Sequence, residues 1–200
     1  MLSTKVQEAL QNIAGWCNEE KAELFSYYLK PSPCPKLCVE IGVFGGRSLV
    51  VLGLLLKELG EGSGVVLGID NWPKDAIAEG NDEKDMDWYL SKDLEPIYQG
   101  CLSHIRRYEI ESHCAVLRLS SENASFVFPD SSIDLIHIDG NHSEKVSCRD
   151  VDIYLPKVKS GGIVVFDDIN WGTTLRAQGK VEEVCVLEYK SSHFAAYRKL

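Results

Sequence analysis

Three carboxylates stand where chemistry is most plausible in this chain. Asp139 closes the apolar run Ile133–Ile138, and Asp167 and Asp168 close the run Ile163–Phe166. Between them lie a short turn, an amphipathic segment and the pair Gly161-Gly162, the pattern of strand, helix and strand. If the two strands are parallel neighbours, all three acids come to the carboxyl edge of one sheet, where open α/β sheets bind ligands. Carboxylates gathered there repel one another unless a cation sits among them. The spacing therefore predicts an enzyme that handles a cation or a hard, oxygen-preferring metal ion. His142, three residues past Asp139, is a candidate general base, with orientation of Asp139 as the alternative. His137 is expected to be a satisfied core histidine facing away from the neighbours of Asp139.

A second group lies earlier. Glu40-Ile41-Gly42-Val43-Phe44-Gly45-Gly46-Arg47-Ser48 reads as a strand end, a Gly-rich turn and a helix start, and Val65–Asp70 as the next strand, again ending in an acid. Glycines allow close backbone approach, and a helix start favours an anion. The pattern is not the G-x-G-x-x-G of a pyrophosphate site. An acid two residues before the first Gly suits a ligand carrying an ammonium and a sulfonium, with its carboxylate at Ser48. Asp70 can accept the hydroxyl hydrogens of a ribose.

The elements that must position these groups read in order. Residues 3–29 look helical in two pieces, with Val6, Leu10, Ile13, Ala14 and Cys17 on one face and a second piece over about Asn18–Leu29. Pro31, Pro33 and Pro35 end it. Leu37–Val43 is a buried strand, Ser48–Leu59 an apolar helix, Gln99–Tyr108 a helix and Cys114–Leu119 a strand. The acidic, aromatic stretch Asn71–Gly100 is long for a connection and reads as a lid over an acceptor site. Gly172–Lys180 carries only a weak helical signal, and Glu182–Tyr189 with His193–Arg198 reads as an antiparallel hairpin. The fold class expected is α/β: a Rossmann-like three-layer α/β/α sandwich, with a mostly parallel seven-stranded sheet and a C-terminal antiparallel hairpin. One domain over 1–200 is expected, with N-terminal helices over 1–30 that can mediate a homodimer.

Composition narrows the partners. A net charge of −9 argues against non-specific nucleic-acid binding. The seven cysteines have no metal-ligand spacing and suit buried thiols in a reducing compartment. Lys5, Glu8 and Gln11 interrupt any leader-like run, and Leu49–Leu56 is too short to cross a bilayer, so a cytoplasmic protein without membrane contact is expected.

VEIGVFGGRS, GIDNW, DLIHIDGNHS and GGIVVFDDINW, in that order over Lys36–Trp171, resemble the class I S-adenosylmethionine-dependent methyltransferases, within them the macrocin O-methyltransferase-like group, related in layout to catechol O-methyltransferase. The resemblance implies that Glu40, Gly42, Phe44, Gly45, Gly46 and Ser48 hold the methionine part of S-adenosylmethionine and that Asp70 holds its ribose. It implies Ser120 and Ser121 near the adenine, and Asp139 as a catalytic, cofactor-binding acid, with a cofactor- or substrate-contacting acid that binds no metal as the alternative. Asp139, Asp167 and Asp168 match the Mg²⁺ ligands of metal-dependent members, with the metal lowering the pKa of an acceptor hydroxyl and His142 removing its proton. Some relatives carry an acid at the position of Asn141. The acceptor implied is a small hydroxylated molecule: a sugar, polyphenol or natural product. A metal-free methyltransferase, a non-catalytic cofactor-binding scaffold and a nicotinamide-dependent oxidoreductase are the competing readings.

Overall fold

A computed structural model of the chain describes residues 1–30, 34–60, 62–72, 87 and 90–200. Its centre is a seven-stranded sheet in the order β3-β2-β1-β4-β5-β7-β6. The strands are β1 (Leu37–Ile41), β2 (Val65–Ile69), β3 (Cys114–Leu117), β4 (Ile133–Ile138), β5 (Val158–Phe166), β6 (Cys185–Lys190) and β7 (Ala195–Lys199). Pairings from β3 through β5 are parallel, and β7 pairs antiparallel with both β5 and β6. One strand, β7, thus runs against the rest, and the terminal hairpin is present as expected.

Helices cover both faces, which is why the parallel strands are apolar runs and not alternating patterns. On one face lie α1 (Thr4–Asn12), α2 (Glu19–Leu29), α3 (Arg47–Glu58) and α4 (Leu94–Arg107). They pack with Cys38, Val66, Leu135 and Val165 of the sheet. The other face packs Val39, Ile136, Val164 and Phe166 against α6 (Glu144–Tyr154) and α7 (Leu175–Val184), while the four-residue α5 (Ser121–Ala124) follows β3. The deepest helix is α3, in which every residue from Ser48 to Leu56 is buried. Truncating one of them, such as Leu52→Ala, removes about 2–5 kcal/mol because the surrounding core closes the gap only in part.

The chain order reverses between β1 and β4. β1, β2 and β3 step one way across the sheet, and β4 and β5 step the other. Crevices form at such a point because the connections leave on opposite faces. Register then places the chemistry: Ile41 pairs with Ile138, and Ile138 with Phe166, so Gly42, Asp139 and Asp167 leave the sheet side by side. The amide N–H of Asp139 bonds the Ile41 carbonyl and that of Asp167 the Ile138 carbonyl, each at 2.9 Å.

Several boundaries differ from the sequence reading. α1 stops at Asn12, so Ile13 and Cys17 are buried without being helical. The reason is Asn18, whose side chain caps α2 by accepting from Lys21 N at 2.9 Å and so starts a new helix after an irregular corner. β1, β2 and β3 are shorter than read, because Gly42-Val43, Asp70 and the residues after Leu117 belong to the turns. α4 begins five residues before Gln99, capped by Asp93. Beyond Trp171 the chain forms a ten-residue helix, α7, where only a weak turn was expected, and it extends past Glu182 before β6 starts at Cys185. Its propensity is poor with Gly179 in the middle, and burial of Ala177 and Val181 in the core decides it. The expected lid falls largely on residues 73–86 and 88–89, outside the described residues.

Candidate active site

At the strand-order reversal the carboxyl edge opens into a cavity of about 1220 Å³. One wall is the turn after β1. Gly42 has φ +85°, and a Cβ there would stand 1.9 Å from the Asp139 carbonyl oxygen, so only glycine lets the two strand ends meet. Gly45 faces the N-terminal corner instead, where a Cβ would stand 2.3 Å from the carbonyl oxygen of Ala14. Arg47 Nε donates to the carbonyl of Ile13 at 2.6 Å, and the rings of Trp16 and Phe44 lie 5.2 Å apart. The N-terminal segment is thereby fastened over the turn.

Asp70 holds that turn from below. Its Oδ2 accepts from the amides of Val43 and Phe44 at 3.0 and 2.9 Å, and Oδ1 accepts from Trp72 N at 2.9 Å. The Trp72 indole donates to the Phe44 carbonyl at 3.0 Å. Burial raises the Asp70 carboxyl above its ordinary value, and these N–H donors pull the other way. The acid read as a ribose ligand is therefore also the clamp of the Gly-rich turn.

Of the residues expected at the cofactor, Gly42, Phe44, Ser48, Asp70, Ser120, Ser121 and Asp139 line the cavity. Glu40, Gly45 and Gly46 do not. Glu40 is fully buried beneath the floor, where Oε1 accepts from Ser48 Oγ at 2.7 Å. The expected carboxylate site at Ser48 changes for the same reason: its hydroxyl is committed to Glu40, and α3 starts one residue earlier, at Arg47. Ser120 caps α5, and Ser121 Oγ donates to Asp150 at 2.5 Å.

The opposite wall carries the acids, which do not form one set. His142 Nε2 lies 2.8 Å from Asp168 Oδ2, and its ring lies 4.4 Å from that of Trp171. Asp167 turns the other way. Its Oδ2 meets the ammonium of Lys21 and lies 3.4 Å from His137 Nε2. Lys21 is the residue that the sequence reading missed, although Lys21, Phe25 and Tyr28 share the buried face of α2 at helical spacing.

His137 is fully buried, as expected, but in a different setting. A spacing of two along β4 puts it on the same face as Asp139, 3.9 Å away, and not on the opposite one. Its Nδ1 lies 3.6 Å from Glu40 Oε2, and neither atom has a hydrogen-bond partner among the described residues. Burial works against its charged form, yet Asp167 and Glu40 outweigh that and raise its pKa to about 9. Burial would also raise Asp167, but the hydrogen bond with His137 and the charge of Lys21 hold it well below the carboxylate range. Asp139 goes the other way: burial and then the charge of Asp167 push it well above that range. Two neighbouring carboxyls pushed apart in this way mark a site poised for proton chemistry.

Two groups of donor atoms within 4.8 Å of one another are present among the described residues: His137, Asp139 and Asp167, and Asp139, His142 and Asp168. Neither fits Mg²⁺. The first already contains the Lys21 ammonium, and the second includes an imidazole that is engaged with Asp168, where Mg²⁺ prefers oxygen.

Residues 39–169 match a family model described as "Methyltransferase domain". The chain belongs to this methyltransferase family. Its fold is also that of solved methyltransferases. The O-methyltransferase NovP superposes with a TM-score of 0.71 at 15% identity, over 90% of this chain and 79% of that one. The SAH-bound Podospora anserina methyltransferase PaMTH1 gives 0.69 at 11% identity, over 100% and 89%. The O-methyltransferase TomG from Streptomyces achromogenes, solved with SAM, gives 0.63 at 12% identity, over 100% and 91%. No curated protein matches the chain significantly. Among the described residues of this methyltransferase, no helix is long and apolar enough to cross a membrane.

Proposed function

We propose that this methyltransferase uses S-adenosylmethionine to methylate a hydroxyl of a small hydroxylated acceptor. The observation that carries the reading is the single cavity wall-to-wall between the Gly42 turn and the His142–Asp168 pair. The turn and Asp70 receive the methionine and ribose parts of the cofactor, with Ser120 and Ser121 toward the adenine. The SAH-bound PaMTH1 and TomG in complex with SAM, both similar in fold, support that cofactor. Residues 1–200 form one domain in this reading, with the N-terminal helices as part of the site wall.

In this mechanism His142 is the base. His142 Nε2 lies 2.8 Å from Asp168 Oδ2, and the imidazole takes up the acceptor's proton. Asp168 orients the ring and stabilises the imidazolium that forms, and S-adenosylmethionine, when bound, would supply the methyl group for the deprotonated oxygen. Asp139, its carboxyl pushed up by burial and by Asp167, lines the cavity beside His142 and would orient the acceptor hydroxyl. Most of the acceleration comes from alignment of oxygen, methyl and sulfur.

Calorimetric titration with S-adenosylmethionine tests the cofactor, and formation of S-adenosylhomocysteine with a panel of hydroxylated acceptors tests the transfer. Binding without transfer to any phenol or sugar hydroxyl points to a scaffold role, and no binding overturns the reading. Once an acceptor is found, His142→Ala is expected to lower kcat by about 10²–10⁴-fold with cofactor affinity unchanged.

A further inference from the structure

The positive charge at Asp167 comes from a distant part of the chain. Lys21 lies 146 residues before it in sequence, on the buried face of α2. Its ammonium meets Asp167 Oδ2, donates to the Trp16 carbonyl at 3.0 Å and stands 5.3 Å from the centre of the Phe194 ring. Its side chain is 5% exposed and that of Asp167 6%, so the pair is held out of solvent. The corner that carries Trp16 is in turn fastened to the cofactor turn through Ile13, Ala14 and Arg47. Lysine placement is thus built in from several sides and is no chance surface contact.

We propose that Lys21 is the resident cation of the acceptor side of this site: it occupies the position at Asp167 that a divalent ion would take in a three-carboxylate set, and it makes methyl transfer independent of a bound metal. A carboxylate oxygen that accepts a buried ammonium cannot also ligate a dication, because the two positive centres would stand a few ångströms apart in a medium of low dielectric. Lys21 is a positioning residue in this scheme. It holds the Asp167 carboxylate turned away from the His142–Asp168 pair, leaving that pair to act on the acceptor. The inference rests on the methyltransferase reading for its functional meaning and on the Lys21 geometry alone for its metal chemistry.

Mn²⁺ is the probe, followed by electron paramagnetic resonance on the full chain. The wild type is expected to leave Mn²⁺ free at concentrations where Lys21→Met, with Asp167 released, binds it; the gain in affinity should be about tenfold or more, and Lys21→Met/Asp167→Asn should abolish it. Binding by the wild type as tight as by Lys21→Met overturns the proposal. If Lys21→Met does not fold, the wild type decides the matter through amine acylation mapped by mass spectrometry. Lys21 is expected to stay protected with or without Mg²⁺, and labelling that rises on adding Mg²⁺ overturns the proposal, since the ion would have displaced the ammonium. S-adenosylmethionine binding is a separate readout: its absence sinks the methyltransferase reading and leaves the metal result standing.

Discussion

The two walls of the cavity are built by different physics. The Gly-turn wall comes from neighbouring sequence, β1, α3 and β2, and its shape rests on backbone: Gly42 against the Asp139 carbonyl, and the Val43 and Phe44 amides on Asp70. The acid wall is assembled from α2, β4 and β5, and its shape rests on charge: Lys21 on Asp167, His142 on Asp168, and His137 among three carboxylates. The first should therefore fail when an atom is added, and the second when a charge is removed. A local backbone turn is fixed once its hydrogen bonds form. A charge cluster taken from distant segments depends on every member.

The largest effect should come from adding one methyl group to the first wall. Gly42→Ala meets both a positive φ and a backbone oxygen at 1.9 Å, neither of which can yield cheaply. A loss of more than about 4 kcal/mol in urea unfolding is expected, together with loss of cofactor binding. A variant as stable as wild type would show that the strand ends can part. On the second wall, Lys21→Met keeps the volume and removes the charge, leaving Asp167 buried with His137 as its one remaining positive partner among the described residues. A cost of about 3–5 kcal/mol is expected by the same measurement, and a cost below that of a surface substitution would make the pairing incidental.

Proton linkage sharpens the contrast. The His137 pKa is raised to about 9, against about 6.5 for an unperturbed imidazole. Its contribution to stability is therefore fully present below about pH 6.5 and is lost as pH rises through about 9. The urea midpoint of the wild type should fall across that window, and the fall should shrink in His137→Asn. Loss of stability toward acid and none toward alkali would refute the charge assignment. The smallest effect should be that of Asp70→Asn, which keeps an acceptor for the turn and weakens the charge-assisted bonds. A cost of about 1–2 kcal/mol and an affinity for S-adenosylmethionine reduced about tenfold are expected; an unchanged affinity would confine Asp70 to holding the turn.

Much of the sheet could be read directly because each parallel strand is covered on both faces and so appears as an apolar run. The acids at strand ends stood out because a polar residue after such a run must leave the sheet. What escaped the reading depended on distant partners. α7 forms around Ala177 and Val181 despite Gly179, since packing on the core outweighs local propensity. α4 begins early because Asp93 caps it from within a stretch that looked like a loop. Lys21 is a lone lysine in an amphipathic helix, and only the fold shows that its apolar-face position ends at a carboxylate.

By itself the sequence determined the class of fold, the order of its strands along the chain, the Gly-rich turn and the three acids at the carboxyl edge, since these follow from hydrophobic periodicity and from chain breaks. The tertiary structure alone decided how those acids are divided. Register put His137 beside Glu40, the irregular corner at Gly15–Cys17 carried α2 across the site, and burial left Asp167 in need of a positive partner that α2 could supply. Charges in water choose partners weakly, but a buried carboxylate must have one, and which one is a matter of what the fold brings within reach.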